Sequence, residues 1–114
     1  MKQYDVTYTE RAECDLRGIY EYIAFTLLEP HVAGKQSNRI INAVSGLDQM
    51  PERFRRYENE PWRSEGLRVM PVDNYLVFYV PSELPTKPKG MVTVIRIIYG
   101  GRDIDAELSQ TEIT

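Results

Sequence analysis

Arginine and tyrosine carry whatever chemistry this sequence can do. Arg68 and Arg96 fall inside segments that read as β-strands, Arg102 follows directly on Gly100-Gly101, and Tyr75, Tyr79 and Tyr99 belong to the same stretches. An arginine inside a β-run must aim its guanidinium at a partner or at solvent on one face. Arginine with tyrosine on a sheet face can bind phosphates, stack on bases or anchor a protein partner. The competing use of Arg68, Arg96 and Arg102 is pairing with Asp or Glu across strands. Other chemistries fail on inventory. One cysteine, Cys14, and one histidine, His31, cannot build a Ser-His-Asp or Cys-His constellation or a Cys- or His-dense metal site, and no cofactor is expected. Cys14 lies beside a core stripe and reads as packing. Gly100-Gly101 lacks the Lys-Ser/Thr or third spaced Gly of a phosphate loop and reads as a flexible strand exit.

The charge distribution narrows the partners. Net charge is −3, distributed as −2 over residues 1–50, +3 over 51–102 and −4 over 103–114. A protein that grips phosphate backbones carries a basic domain, so nucleic-acid contact here is confined to the arginine-rich middle. That middle mixes five Arg with four Glu between positions 52 and 68, which also suits a solvated, salt-bridged loop. Apolar residues are 42% and charged residues 27% of 114, enough for one core and one domain over 1–114. No apolar run reaches the ~18 residues of a membrane span, and Met1 to Val6 show no signal-peptide stretch. With a lone cysteine, a cytoplasmic location is expected.

The elements that must position these side chains follow from periodicity. Tyr4, Val6 and Tyr8 alternate with polar neighbours as a strand. Thr9 sits at a helix N-cap, with Glu10 and Glu13 in the first turn. Ala12, Leu16, Ile19, Ile23 and Leu27 form one helical stripe over 10–28, broken at Glu29-Pro30. Ala33, Ser37, Ile40, Val44 and Leu47 form a second, ended by Met50-Pro51. The short connection predicts an antiparallel pair of helices. After a charged loop over 51–65 come strands at 66–70, 75–80 and 91–98. The 91–98 strand is apolar enough to be central and covered on both faces. Residues 81–90 read as a prolyl hairpin tip without chemistry, 102–109 as a short helical turn, and the last five residues as frayed. The order β-α-α-β-β-β predicts an α+β fold, a helical hairpin packed on one face of a small, largely antiparallel sheet. The other face must then be solvated or covered by a partner.

The ordered series resembles a known superfamily. It runs through Tyr4-Asp5-Val6-Thr7-Tyr8-Thr9, Ala12-Glu13-Cys14-Asp15-Leu16 with Ile19-Tyr20-Glu21-Tyr22-Ile23, Leu47-Asp48-Gln49-Met50-Pro51, Gly66-Leu67-Arg68 and Asn74-Tyr75-Leu76-Val77-Phe78-Tyr79. It closes on Val94-Ile95-Arg96-Ile97-Ile98-Tyr99-Gly100-Gly101-Arg102-Asp103-Ile104. Together these resemble the RelE/ParE toxins of type II toxin–antitoxin systems over about residues 4–108. The resemblance implies a toxin of the plasmid-stabilisation type, neutralised by a small cognate antitoxin and meeting operator DNA only through it. RelE-like members cut mRNA on the ribosome, whereas ParE-like members poison DNA gyrase.

Carried over by position, Arg102 fits the arginine after the last core strand and Arg68 a basic position on the second strand. Leu76 stands where the nuclease branch often has arginine, and near Leu108 the C-terminal tyrosine of that branch is missing. The resemblance therefore favours the ParE-like branch. It implies target binding through Arg68, Tyr99 and Arg102, with Arg68, Arg102, Tyr79 and Tyr99 the catalytic candidates if the chain is a nuclease. Family antitoxins wrap their toxins with a segment that orders on binding. The basic middle segment would attract an acidic one, and Trp62, in a charged loop, reads as a ring either folded back on the sheet or offered to a partner. The antitoxin is thus expected across residues 51–80, at Arg53, Arg55, Arg56, Trp62 and Arg68, with the aromatic strand 75–79 also exposed.

Overall fold

The structure, a computed structural model, describes residues 2–111. Strand β1 (Tyr4–Tyr8) leads into helix α1 (Glu10–Glu21), which widens into a π-helical turn at Tyr22–Thr26. Helix α2 (Pro30–Ser45) runs back, and two single 3-10 turns follow at Gly46–Asp48 and Pro51–Arg53. The one-turn helix α3 (Trp62–Glu65) precedes β2 (Arg68–Val72), β3 (Tyr75–Ser82) and β4 (Gly90–Tyr99), and α4 (Ile104–Ser109) comes last. The sheet order is β1-β4-β3-β2. The β2–β3 and β3–β4 pairs are antiparallel, whereas β1 lies parallel to β4 because the α1–α2 hairpin returns the chain to the same end. The apolar strand is central, as its sequence requires. The fraying expected at 110–114 falls mostly outside the described residues.

Local signals explain the ends of α1 and α2. The Thr9 hydroxyl accepts the Ala12 N–H at 3.1 Å and donates to the Ile95 carbonyl, capping α1 and fixing it to β4 at once. Pro30 opens α2 at its first position. The first stripe fails at its end. In the π-turn the Leu27 N–H bonds to the Tyr22 carbonyl, five residues back, so one extra residue per turn carries Leu27 off the stripe and into solvent, leaving Ile23 and Ala24 buried.

Two cores pack on the two faces of the sheet. Beneath the helical hairpin lie Ala12, Ile40, Val44, Leu47, Met70, Val77, Tyr79, Val92, Val94 and Ile97. The opposite face, expected to meet solvent or a partner, is covered by the chain's own residues: Trp62, Leu67 and Leu108 close over Val69, Phe78, Ile95 and Ile98. Trp62 is 5% exposed, which corrects its reading as an offered ring. It folds back onto the sheet because α3 and the 55–57 segment lie along β2, with the Val69 N–H donating to the Arg55 carbonyl and the Tyr57 N–H to the Leu67 carbonyl. Phe78 and Tyr79 are fully buried as well, so the aromatic strand is core rather than surface.

A bulge in β4 sets the position of its arginine. The β3–β4 register shifts between Phe78, opposite Arg96, and Tyr79, opposite Val94. Ile95 is the extra residue, and both it and Arg96 lie towards the second face. Past Tyr8 no strand continues beside β4, and α1 occupies the vacated edge. Asp15 accepts the Ile97 N–H at 2.9 Å together with Arg96 Nε at 2.7 Å and Nη2 at 3.1 Å.

We expect Trp62→Ala to destabilise the chain by about 3–5 kcal/mol, as truncating a buried large aromatic does. Urea denaturation reads this, and a change within about 0.5 kcal/mol, the surface-substitution range, would place Trp62 outside the core. Asp15→Ala strands a 4%-exposed guanidinium and should cost a similar ~3–5 kcal/mol.

Candidate functional site

A cleft of about 740 Å³ opens where the end of α1 and the start of α2 meet the end of the sheet. One wall is Ile19, Tyr22, Ile23, Leu27 and Val32; the other is Tyr75, Tyr99 and Arg102. Tyr75 and Tyr99 are cross-strand partners whose rings meet edge to face at 5.7 Å. Burial, and then the neighbouring phenols Tyr99 and Tyr22, raise the Tyr75 pKa, so its hydroxyl stays protonated. Tyr99 remains 47% exposed. Gly101 makes its position possible: a Cβ there would lie 2.6 Å from the Tyr99 ring, and the Gly100 N–H bonds to the Asn74 carbonyl at 2.9 Å. The double glycine is therefore a close-approach site as well as the strand exit.

Charge in the cleft is organised from its rear. Arg96 donates to Asp15, to the Glu107 carbonyl and to the Thr111 hydroxyl, the last two at 2.9 Å, so it anchors α1 and α4 together. Its partners are carboxylates on helices rather than across strands, because β1 has ended and α1 sits in its place. Glu107 bridges Arg102 at 3.2 Å and Arg96 at 3.4 Å. The Arg102 hydrogen bond, followed by those of Arg96, holds the Glu107 carboxyl below its ordinary value. Nearby, Tyr57 and Asn59 donate to Asp105 and tie α4 to the 57–59 loop. Burial and the Asp105 hydrogen bond push the Tyr57 pKa up to about 12.

The structure joins some of the expected residues and separates others. Tyr99 and Arg102 share the cleft. Arg68 does not, which corrects the grouping of the three: it pairs with Tyr79, four residues along β3 from Tyr75, or about 13 Å at strand rise. Arg68 Nη1 donates to the Glu52 and Phe54 carbonyls at 3.0 and 2.7 Å, so it braces the loop. The buried Tyr79 hydroxyl donates to the Pro51 carbonyl, and burial pushes its pKa up to about 12. A phenol so placed reaches neither solvent nor a phosphate. Arg53 likewise donates to the Gln49, Met50 and Gly46 carbonyls, whereas Arg55 and Arg56 are exposed. Cys14, expected as packing, is exposed on the cleft rim.

Sequence reasoning missed the hairpin side of the cleft. The available signal was the run Phe25 to Leu28 just before the Pro30 break, more apolar than a helix end requires. Among the described residues no cluster of three His, Cys, Asp or Glu could hold a metal, and no helix is long and apolar enough to cross a membrane. The cleft combines aromatic floor, aliphatic wall and one accessible cation, an arrangement suited to binding a protein surface.

A family profile described as the ParE toxin of type II toxin–antitoxin system, parDE, matches residues 6–104. No curated protein matches the sequence. Among solved structures, the chain is similar to one of a chromosomal ParDE toxin–antitoxin system from P. aeruginosa, at 22% identity and a TM-score of 0.66, covering 85% of this chain and 96% of that one. It is also similar to one of the toxin–antitoxin complex RelBE2 from Mycobacterium tuberculosis, at 19% identity and a TM-score of 0.58, covering 87% and 93%. At these identities the structures establish the shared α+β fold.

The depressed carboxyl of Glu107 makes the docking of α4 pH-dependent. A lowered folded pKa contributes stability above the ordinary glutamate value of 4.5 that is lost as pH falls through the folded value. Amide exchange at Glu107 and Leu108 should therefore speed up, relative to β4, between pH 5 and pH 3 on the scale of ordinary carboxyl titration, roughly. Glu107→Gln should flatten that dependence; equal slopes in the two proteins would assign it elsewhere.

Proposed function

Because the chain belongs to the ParE toxin family of type II toxin–antitoxin systems, we propose that it arrests growth by binding DNA gyrase through the Tyr99–Arg102 cleft and that a cognate antitoxin neutralises it. The observation that carries this reading is the cleft itself. Arg102, the arginine expected after the last core strand, stands with its side chain 64% exposed beside an open aromatic pair. Such a surface inhibits by occupying its target.

The antitoxin half is supported by the company of the fold, since both similar structures are of toxin–antitoxin systems. With Trp62 buried, its docking surface loses the ring expected at its centre. Arg55 and Arg56 stay exposed on the segment along β2 and offer charge to an acidic antitoxin tail.

The alternative, ribosome-dependent mRNA cleavage, would draw on Arg68, Arg102, Tyr79 and Tyr99. Its support is weaker, because Arg68 and Tyr79 are held by loop carbonyls four residues along β3 from Tyr75, the partner of Tyr99. In-line cleavage needs its cation and proton-transfer group on one phosphate.

Expression without the antitoxin should arrest growth; unaffected growth would mark an inactive, antitoxin-binding relic. Purified toxin should inhibit supercoiling by bacterial gyrase, and Tyr99→Ala and Arg102→Ala should each weaken inhibition by about tenfold, as loss of an interface anchor does. No inhibition at tens of micromolar would overturn the gyrase target. A-site cleavage of translated message in primer extension, lost in Arg102→Ala, would establish the nuclease instead.

A further inference from the structure

Five of the large apolar side chains exposed among the described residues gather on one side. Tyr22, Phe25, Leu27, Leu28 and Val32 crowd the tip of the helical hairpin, and Tyr22, Leu27 and Val32 face Tyr99 across the cleft. Leu28 is 76% exposed and held at φ 60°, the left-handed position that ends helices and ordinarily takes glycine. A bulky aliphatic side chain in that conformation, in water, contributes nothing to either core. Exposed apolar side chains lining a cleft, as Tyr22, Leu27 and Val32 do, mark a protein contact.

The charges on the lining say what the contact must carry. Arg96 is 4% exposed, and its donors are committed to Asp15, Glu107 and Thr111. Arg102 is the accessible cation of the lining, and it makes one side-chain bond, from Nη1 to Glu107 Oε1 at 3.2 Å. Its remaining N–H donors point to no acceptor among the described hydrogen bonds. Glu107 can let go of Arg102 without losing a partner, since its other oxygen lies 3.4 Å from Arg96 Nη2.

Resting on the reading of this cleft as the target site, we infer that it docks a segment of the target protein with aliphatic side chains along one side and a carboxylate at the end nearest Arg102. Glu107 holds that carboxylate's place in the unbound chain. On docking, the incoming carboxylate takes Arg102, Glu107 falls back on Arg96, and the aliphatic groups cover Leu27, Val32 and Tyr99. The planar guanidinium receives a carboxylate through two parallel bonds, which sets the direction in which the segment lies.

A random peptide library displayed on phage and selected on the full-length chain tests this without presuming the target. The selected peptides should combine aliphatic residues with Asp or Glu. Synthetic versions should bind several-fold more tightly to Glu107→Gln, about tenfold more weakly to Arg102→Ala and not measurably to Leu27→Asp, with affinity falling as salt rises. Arg102→Glu sets a second carboxylate beside Glu107 and should melt lower than the parent while staying folded by circular dichroism, and it should select Lys or Arg in place of the acid. Peptides without an acidic preference, or the same consensus on Arg102→Glu, would overturn the inference. So would a homodimer in sedimentation that the peptides dissociate, which would assign the cleft to a second copy of the chain. A sustained acidic–aliphatic consensus with no gyrase inhibition would overturn the gyrase target alone. Gyrase inhibition with no such consensus would overturn this inference alone.

Discussion

The arrangement of this molecule depends on how one buried arginine is satisfied. Arg96 sits in the central strand just past the point where β1 stops, so it cannot reach water and has no neighbouring strand on that side. A guanidinium there is tolerable only if every side of it is met. Asp15 meets it from α1 and takes the Ile97 N–H as well, so one carboxylate substitutes for the missing strand. The Glu107 carbonyl and Thr111 meet it from the C-terminal segment. Helix α1, strand β4 and helix α4 are thereby located relative to one another by a single side chain. The β4 bulge that aims Arg96 is part of the same solution.

Closing both faces of the sheet with one chain follows from the same economy of elements. The helical hairpin covers one face; α3, the 55–57 segment and α4 cover the other. The hairpin's own tip is left uncovered, where the π-turn turns Leu27 outward and Leu28 ends the helix in a left-handed conformation. The apolar surface at this tip is thus a product of helix geometry at one turn, and it lies beside the end of β4 because the α1–α2 connection is short.

The proposed function rests on that coincidence. The C-terminal end of β4 delivers Tyr99 and Arg102 to the mouth of the space the hairpin leaves open, and Glu107 pairs with Arg102 there. The other end of the sheet, where the basic loop lies, is structurally occupied: Arg53 and Arg68 brace carbonyls, and Tyr79 is sealed in the core. Cations that look alike in the sequence therefore divide into Arg53 and Arg68, which hold the loop, Arg55 and Arg56, exposed along β2, and Arg102, accessible at the cleft.

Element order, the central place of the 91–98 strand, the Thr9 cap and the Pro30 start were legible in the sequence, because each rests on periodicity or on residues within one turn of each other. So was the family itself, through the ordered motifs whose resemblance the family match over residues 6–104 bears out. The burial of Trp62 was not legible, because its charged neighbours describe the loop surface and say nothing of the Val69 and Phe78 side chains beneath it. Nor was the fate of Leu27, since the π-turn that displaces it changes a helical register that the stripe assumes constant. The separation of Arg68 from Arg102 was decided by strand pairing: antiparallel β2 sets its last residue, Val72, against Tyr75 and its first, Arg68, against Tyr79, and no local pattern encodes which residue of a strand a distant one will meet. Local chemistry determined what the segments are. Which side chains share a site was decided by the sheet register and by the packing that had to satisfy Arg96.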